Sequence, residues 1–311
     1  MAKAAFLYPG QGAQAVGMGE AVYAAGGSGR TCLAQAAAVY GPEFLEGLFH
    51  GSQEELTKTV NAQPALFAVE MALTAALQEV GIKADGACGL SLGEYAALCA
   101  AGVFSYEEGL RLVRERGRLM GEGCAGKGKM AAVLGCDEQS LTAKVAGVAA
   151  DSGEIVAACN FNCPGQIVIG GTDRGVDLAV EALTPIAKRI LPLQVEGPFH
   201  TALLTEAATA FRPYLEQVNW QPESIPVYAN VTGRQMEGDK TALLVHQMSE
   251  AVRFEDDIRS MIADGFDTFI EVGPGKILSG FIKKIDRSLQ VRTVATPQDI
   301  ADLVQEWENL T

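Results

Sequence analysis

The stretch "DGACGLSLGEYAALCAAGVF" (85–104) opens with small apolar residues suited to a buried strand. It turns at Gly89-Leu90-Ser91-Leu92-Gly93 and continues with helical spacing. A strand that runs through a tight glycine-flanked turn into a helix is an elbow of layered α/β proteins. Such an elbow lifts its central side chain out of the sheet and points the helix N-terminus at it. Ser91 at the apex is therefore a candidate nucleophile, and the main-chain N–H of Leu92 a candidate donor to a developing oxyanion. A plain helix-start turn is the alternative these residues leave open.

Outward from the elbow, apolar runs at 4–8, 86–90, 226–230, 268–272 and 291–295 alternate with helical patterns. The helical patterns cover 64–80, 92–101, 106–121, 241–250 and 275–286, which predicts an α/β fold around a mostly parallel sheet. The stretch 126–195 has another rhythm: "MAAVLG", a helix at 137–147, "EIVAACN", "QIVIGG", a helix at 173–184, and "RILPLQV". The order β-α-β-β-α-β is ferredoxin-like. We expect a large subdomain (1–125 and 196–311), a small inserted one (126–195), and the site in the crevice between them.

The 311 residues, 48% hydrophobic and 20% charged, suffice for a large core and argue against disorder. A net charge of −14 argues against nucleic acid or an anionic membrane as partner. Glu70 and Glu79 are read as interrupting the longest apolar runs before they reach the roughly 20 residues of a membrane span. The N-terminal apolar stretch is too short for a secretory signal. Seven cysteines without regular spacing read as reduced thiols of a cytoplasmic protein, with no metal site. Two phosphate-loop look-alikes fail on mechanism. Gly10-x-Gly12-x-x-Ala15 has no acidic residue at the required distance, and Gly126-Lys127 is followed by Gly128 instead of a hydroxyl residue.

A serine nucleophile needs a base, and there are three histidines. His50 lies at a helix end beside acidic residues, and His246 inside a helical run. His200, in "VEGPFHTALL", follows a Gly-Pro turn after a strand, the best placed of the three to project into a crevice.

With Ser91 and His200 in view, the chain resembles the malonyl-CoA:acyl carrier protein transacylases from end to end. The likeness is carried by "YPGQGAQ" (8–14), "GLSLGEY" (89–95), "RERGRLM" (114–120), "NFNCPGQIVIGG" (160–171), "GPFHTALL" (197–204), "ANVTG" (229–233) and "EVGPGKILSGFIKKI" (271–285). The resemblance implies a hydrolase-like α/β core with a ferredoxin-like insert, in line with the pattern above. It implies that Ser91 forms a malonyl ester, that His200 serves as base and acid, and that Gln247 orients the histidine through its main-chain carbonyl. It places the oxyanion hole on the N–H groups of Gln11 and Leu92, and the malonyl carboxylate on Arg116. A guanidinium suits that task because it holds a carboxylate by two charge-assisted hydrogen bonds; the competing reading is a surface pair with Glu115 or a nearby acid. Phe199 matches the malonyl-selective pattern, and Asn160, Asn162 and Gln166 are expected to line the cleft. Leu90 and Ala251 depart from the family, which usually has His and Pro there.

The substrate implied is a coenzyme A thioester, with no bound cofactor, and the partner an acyl carrier protein. Because such carriers are acidic, docking needs a local basic face, for which Lys276, Lys283, Lys284 and Arg287 on one helix are candidates, and "AKRI" adds Lys188 and Arg189. A monomer in the cytoplasm is expected. A polyketide loading enzyme shares every motif, and a serine thioesterase or esterase shares the elbow and base.

Overall fold

The structure is a computed structural model that describes residues 3–310. The chain opens with β1 (Lys3–Tyr8), followed by α1 (Glu20–Ala25), α2 (Gly27–Tyr40), α3 (Glu43–His50), α4 (Gln53–Thr57) and α5 (Thr59–Glu79). Then come β2 (Gly86–Gly89), α6 (Gly93–Ala100) and α7 (Tyr106–Cys124). The next segment holds β3 (Lys129–Leu134), α8 (Glu138–Ser152), β4 (Val156–Cys163), β5 (Gln166–Gly171), α9 (Asp173–Leu183) and β6 (Arg189–Pro192). The chain closes with α10 (Thr205–Leu215), β7 (Tyr228–Ala229), β8 (Arg234–Gln235), α11 (Lys240–Ser249), α12 (Phe254–Ala263), β9 (Phe266–Val272), α13 (Ile277–Ile285), β10 (Gln290–Val294) and α14 (Pro297–Leu310).

The first sheet has the order β10-β9-β1-β2, with every pairing parallel. Its inner strand β1 is buried from Ala4 to Tyr8, which is why its sequence is a continuous apolar run without alternation. The second sheet has the order β4-β5-β3-β6 and is antiparallel throughout, the ladder expected when two β-α-β units interleave. The antiparallel sheet is extended at its β4 edge. Phe161 N–H donates to Val252 O at 2.8 Å and Val252 N–H to Cys159 O at 2.8 Å, tying β4 to the segment after α11.

Three expectations change. The helix anticipated from residue 64 begins at Thr59, with Pro64 inside it; a proline that marks a helix start by rule here sits in the second turn. That helix also overturns the reading of interrupted apolar runs. It is 21 residues long and apolar enough to cross a membrane by length and composition, and 78% of its most apolar window is buried inside the protein. Glu70 does not expose it to water but is itself buried among its neighbours. Finally, the strands anticipated over 226–230 and 189–195 shrink to Tyr228–Ala229 and Arg189–Pro192.

Candidate active site

β2 delivers the chain to the elbow, where Leu90 N–H donates to Tyr8 O at 2.9 Å. Ser91 has φ 55°, the left-handed region that costs a non-glycine residue roughly 1 kcal/mol or more. The flanking glycines are forced by crowding. A Cβ on Gly93 would lie 2.0 Å from Tyr8 O, and one on Gly89 would lie 1.9 Å from the Gly93 carbonyl carbon. Asn230 holds the strained turn from behind: its Oδ1 accepts from Ser91 N–H at 2.7 Å and its Nδ2 donates to Gly89 O at 2.7 Å. The same amide donates to Asp257 Oδ2 at 2.9 Å, which fixes its orientation.

His200 Nε2 lies 2.8 Å from Ser91 Oγ, and His200 Nδ1 lies 2.7 Å from the main-chain oxygen of Gln247. A carbonyl can only accept, so Nδ1 carries the proton and Nε2 offers its lone pair to the serine hydroxyl. Burial and the neighbouring Arg116 charge push the His200 pKa down to about 4, against a small opposing pull from the Gln247 carbonyl. The imidazole is therefore neutral at pH 7 and able to take a proton. His50 and His246 are exposed and face Glu20 and Glu250, far from this constellation in role.

Arg116, on α7, is fully buried. Its Nη2 donates to Ser91 Oγ at 3.0 Å and to Gln247 Oε1 at 2.8 Å, and its Nη1 to Gln63 Oε1 at 2.8 Å. The Nε is buried without a partner. The guanidinium lies 5.2 Å from the centre of the Tyr95 ring. Burial lowers its pKa, yet a guanidinium keeps its charge. The surface pair with Glu115 does not form; Glu115 binds Arg118 at 2.8 Å instead. These polar contacts of Arg116 are to uncharged groups, so the cation can still receive a carboxylate beside the nucleophile.

The cleft in front of Ser91 measures about 240 Å³ and brings together Gln11, Leu92, Arg116, Phe199, Asn160, Asn162 and Gln166. The loop carrying Gln11 packs directly on the elbow: a Cβ on Gly10 would stand 2.5 Å from Leu90 O. Gln11 Nε2 donates to Thr59 Oγ1 at 3.0 Å, which anchors that loop to the start of α5. Asn162 Oδ1 is buried without a partner. A larger hollow of about 360 Å³, under Tyr40, Phe44, Leu56 and Arg114, is lined by neither Ser91 nor His200.

The four basic candidates do not form one patch. Ile277, Leu278 and Phe281 of α13 line the cleft, with Lys276 exposed at that helix's N-terminal end. Lys284 Nζ donates to Gln166 Oε1 at 2.8 Å, spanning from α13 to the antiparallel sheet. Lys283 turns the other way and donates to Leu289 O at 2.8 Å, and Arg287 is exposed beyond the helix. Gln63, Glu94, Asn230 and Asp257 escaped the sequence reading. Asn230 had one signal, a polar residue ending the apolar run "PVYA" (226–229).

Residues 5–306 match the family described as Acyl transferase domain. The chain belongs to this family. It is 42% identical over 309 residues to the malonyl CoA-acyl carrier protein transacylase of Bacillus subtilis, covering 98% of this chain and 97% of that one. Among solved structures it is similar to an MCAT from Streptococcus pneumoniae, with TM-score 0.94 and 37% identity over 98% of this chain and 100% of the other. It is equally similar, at TM-score 0.94 and 34% identity over 98% and 100%, to a malonyl-transacylase solved in complex with its type II PKS acyl-carrier protein.

Proposed function

We propose that this acyltransferase moves a malonyl group from coenzyme A to the phosphopantetheine thiol of an acyl carrier protein, in fatty acid synthesis, by a two-step ping-pong route. Ser91 Oγ attacks the thioester carbonyl while His200 Nε2 takes the hydroxyl proton. The N–H groups of Gln11 and Leu92 receive the oxyanion. Collapse of the tetrahedral intermediate breaks the C–S bond, and the departing thiolate takes the proton from His200. In the second half the carrier thiol gives its proton to His200 and attacks the malonyl-serine ester; the ester C–O bond breaks and the departing Ser91 oxygen takes that proton.

The observation that carries this reading is the fully buried Arg116 guanidinium, 3.0 Å from the nucleophile's oxygen. A malonyl carboxylate would neutralise it. An acetyl group offers it no carboxylate in direct contact, a loss of about 2–5 kcal/mol by analogy with broken buried charge pairs. Intact-mass measurement after malonyl-CoA tests the assignment. Wild type gains one malonyl group, Ser91→Ala gains none, and Arg116→Ala loses the preference for malonyl over acetyl. Label on Ser91→Ala, or rapid release of free malonate without a carrier, would overturn it.

In this reading 126–195 acts as the smaller subdomain, closing the cleft over the thioester arm with Asn160 and Asn162, against the large subdomain of 1–125 and 196–311, which contributes Phe199. Lys276 and Lys284 flank the cleft on α13 and steer the acidic carrier, with Lys283 and Arg287 contributing charge farther out. Reversing the charge of Lys276 and Lys284 is expected to raise KM for the carrier at low salt and leave KM for malonyl-CoA unchanged. The free thiols fit a cytoplasmic enzyme. The likeness to a malonyl-transacylase solved with a type II PKS carrier supports polyketide supply as the second reading; comparing carriers of both kinds as acceptors separates the two.

A further inference from the structure

Behind the nucleophile lies a carboxylate that the acyl transfer itself does not use. Glu94, in the first turn of α6, is 1% exposed. Its Oε2 accepts from Gln247 Nε2 at 2.8 Å and from Asn230 N–H at 3.2 Å. Gln247 Nε2 also donates to Ser91 O at 2.8 Å, while its Oε1 accepts from Arg116 at 2.8 Å. The amide orientation is therefore dictated at both ends. A guanidinium only donates and a carboxylate only accepts, so Arg116–Gln247–Glu94 forms a polarised chain with one amide as its link.

Other titratable groups surround Glu94: Asp257 from α12, Cys88 from β2 and Tyr95 from its own helix. Burial raises the pKa of all three above the ordinary value. Arg116 supplies the cation, with neutral His200 on its other side. Burial raises the Glu94 pKa to about 7, opposed by the bonds from Gln247 and Asn230 and by the Arg116 charge.

We propose that Glu94 is the resident counter-charge of Arg116, coupled through the Gln247 amide, and that it takes up a proton when the substrate carboxylate arrives. The physical reason is that two carboxylates sharing one buried cation do not both stay ionised, and the one in water-free surroundings is protonated first. Glu94 thus sets how strongly Arg116 attracts the substrate's free carboxylate. This rests on the assignment of Arg116 to the malonyl carboxylate.

The test uses Ser91→Ala, which binds thioesters without turnover, and calorimetry with malonyl-CoA and acetyl-CoA in two buffers of different ionisation enthalpy. At pH 7.5 malonyl-CoA binding takes up a fraction of a proton, and acetyl-CoA binding takes up none. Adding Glu94→Gln, which keeps an acceptor oxygen and removes the charge, abolishes the uptake. It also raises the malonyl-to-acetyl affinity ratio about five- to tenfold at pH 8, the scale of losing one partly screened opposing charge nearby. At pH 6, where Glu94 in the Ser91→Ala protein is protonated and as uncharged as the glutamine that replaces it, the two ratios converge. Unchanged uptake and an unchanged ratio in the Gln variant overturn the proposal. If that variant does not fold, absence of proton uptake by Ser91→Ala alone overturns it equally. Adding Arg116→Ala separates the two claims. A ratio that survives this change sinks the Arg116 assignment; a ratio that collapses there but ignores Glu94→Gln sinks only the counter-charge.

Discussion

His200 titrates near 4 and Glu94 near 7, each moved mainly by burial and in opposite directions from its ordinary value. For the base the consequence is direct. A neutral imidazole is required for the first proton transfer, so the acidic limb of Ser91 acylation lies near pH 4 to 5 and not at the 6 to 7 of an ordinary histidine. Single-turnover acylation by malonyl-CoA across pH 4–8 measures it; a histidine limb near 6.5 would contradict the buried geometry. Ser91 and His200 were legible as an elbow serine and a histidine after a Gly-Pro turn, whereas Arg116 came only through the family resemblance, its residues alone reading as a surface pair. Gln63, Asn230 and the side chain of Gln247 were not legible. An amide is equally at home on a surface, and only the fold reveals that these amides hold a strained serine and a buried guanidinium in place.

At the scale of elements, the elbow is where backbone crowding replaces side-chain packing. Gly93→Ala drives a methyl group into the Tyr8 carbonyl, so it destabilises the fold by about 3 kcal/mol or more and abolishes acylation. Gly147, inside α8 with open space around it, is the contrast. Gly147→Ala stabilises by about 0.5–1 kcal/mol and leaves activity unchanged. Urea unfolding of both variants beside wild type checks the pair; similar effects would mean that helix propensity outweighs local crowding. The strands of both sheets were readable as short apolar runs, and 129–192 even in its strand order, because local periodicity survives there. α1, α2 and α4 were missed, as were α10, α12 and α14, and of α3 only its end at His50 was read. The stabilisation of α1 to α4 comes from lying against α5 and one another more than from any pattern of their own.

Across the whole molecule, buried acids decide how stability responds to pH. Glu70, Glu94 and Asp257 all have folded-state pKa values raised by burial, with Glu271 adding its charge against Glu70. A raised carboxylate keeps its proton when folded and loses it when unfolded, so its stabilisation is full below the unfolded value and is lost as pH rises through the folded one. His200 acts oppositely, but only below about 6.5, where the unfolded imidazole is protonated and the folded one is not. Between pH 6.5 and 8.5 stability falls as the raised acids ionise, Glu94 passing through its value of about 7 within that range. Urea midpoints at the two ends show the fall; a flat or rising trend would mean these acids are ionised in the folded state.

The splice between β4 and the segment after α11 has a mechanical consequence. The Val252 strand bonds hold the antiparallel sheet to the stretch that begins five residues after Gln247, whose carbonyl aims His200. Any widening of the cleft must therefore pivot about this edge, opening from the opposite rim while the alignment of base and nucleophile is left undisturbed. The Phe161 and Val252 amides are accordingly expected among the slow hydrogen exchangers, with protection equal in the free and acylated protein. The enzyme can admit two different thiol carriers in turn without re-forming its proton-transfer path between them.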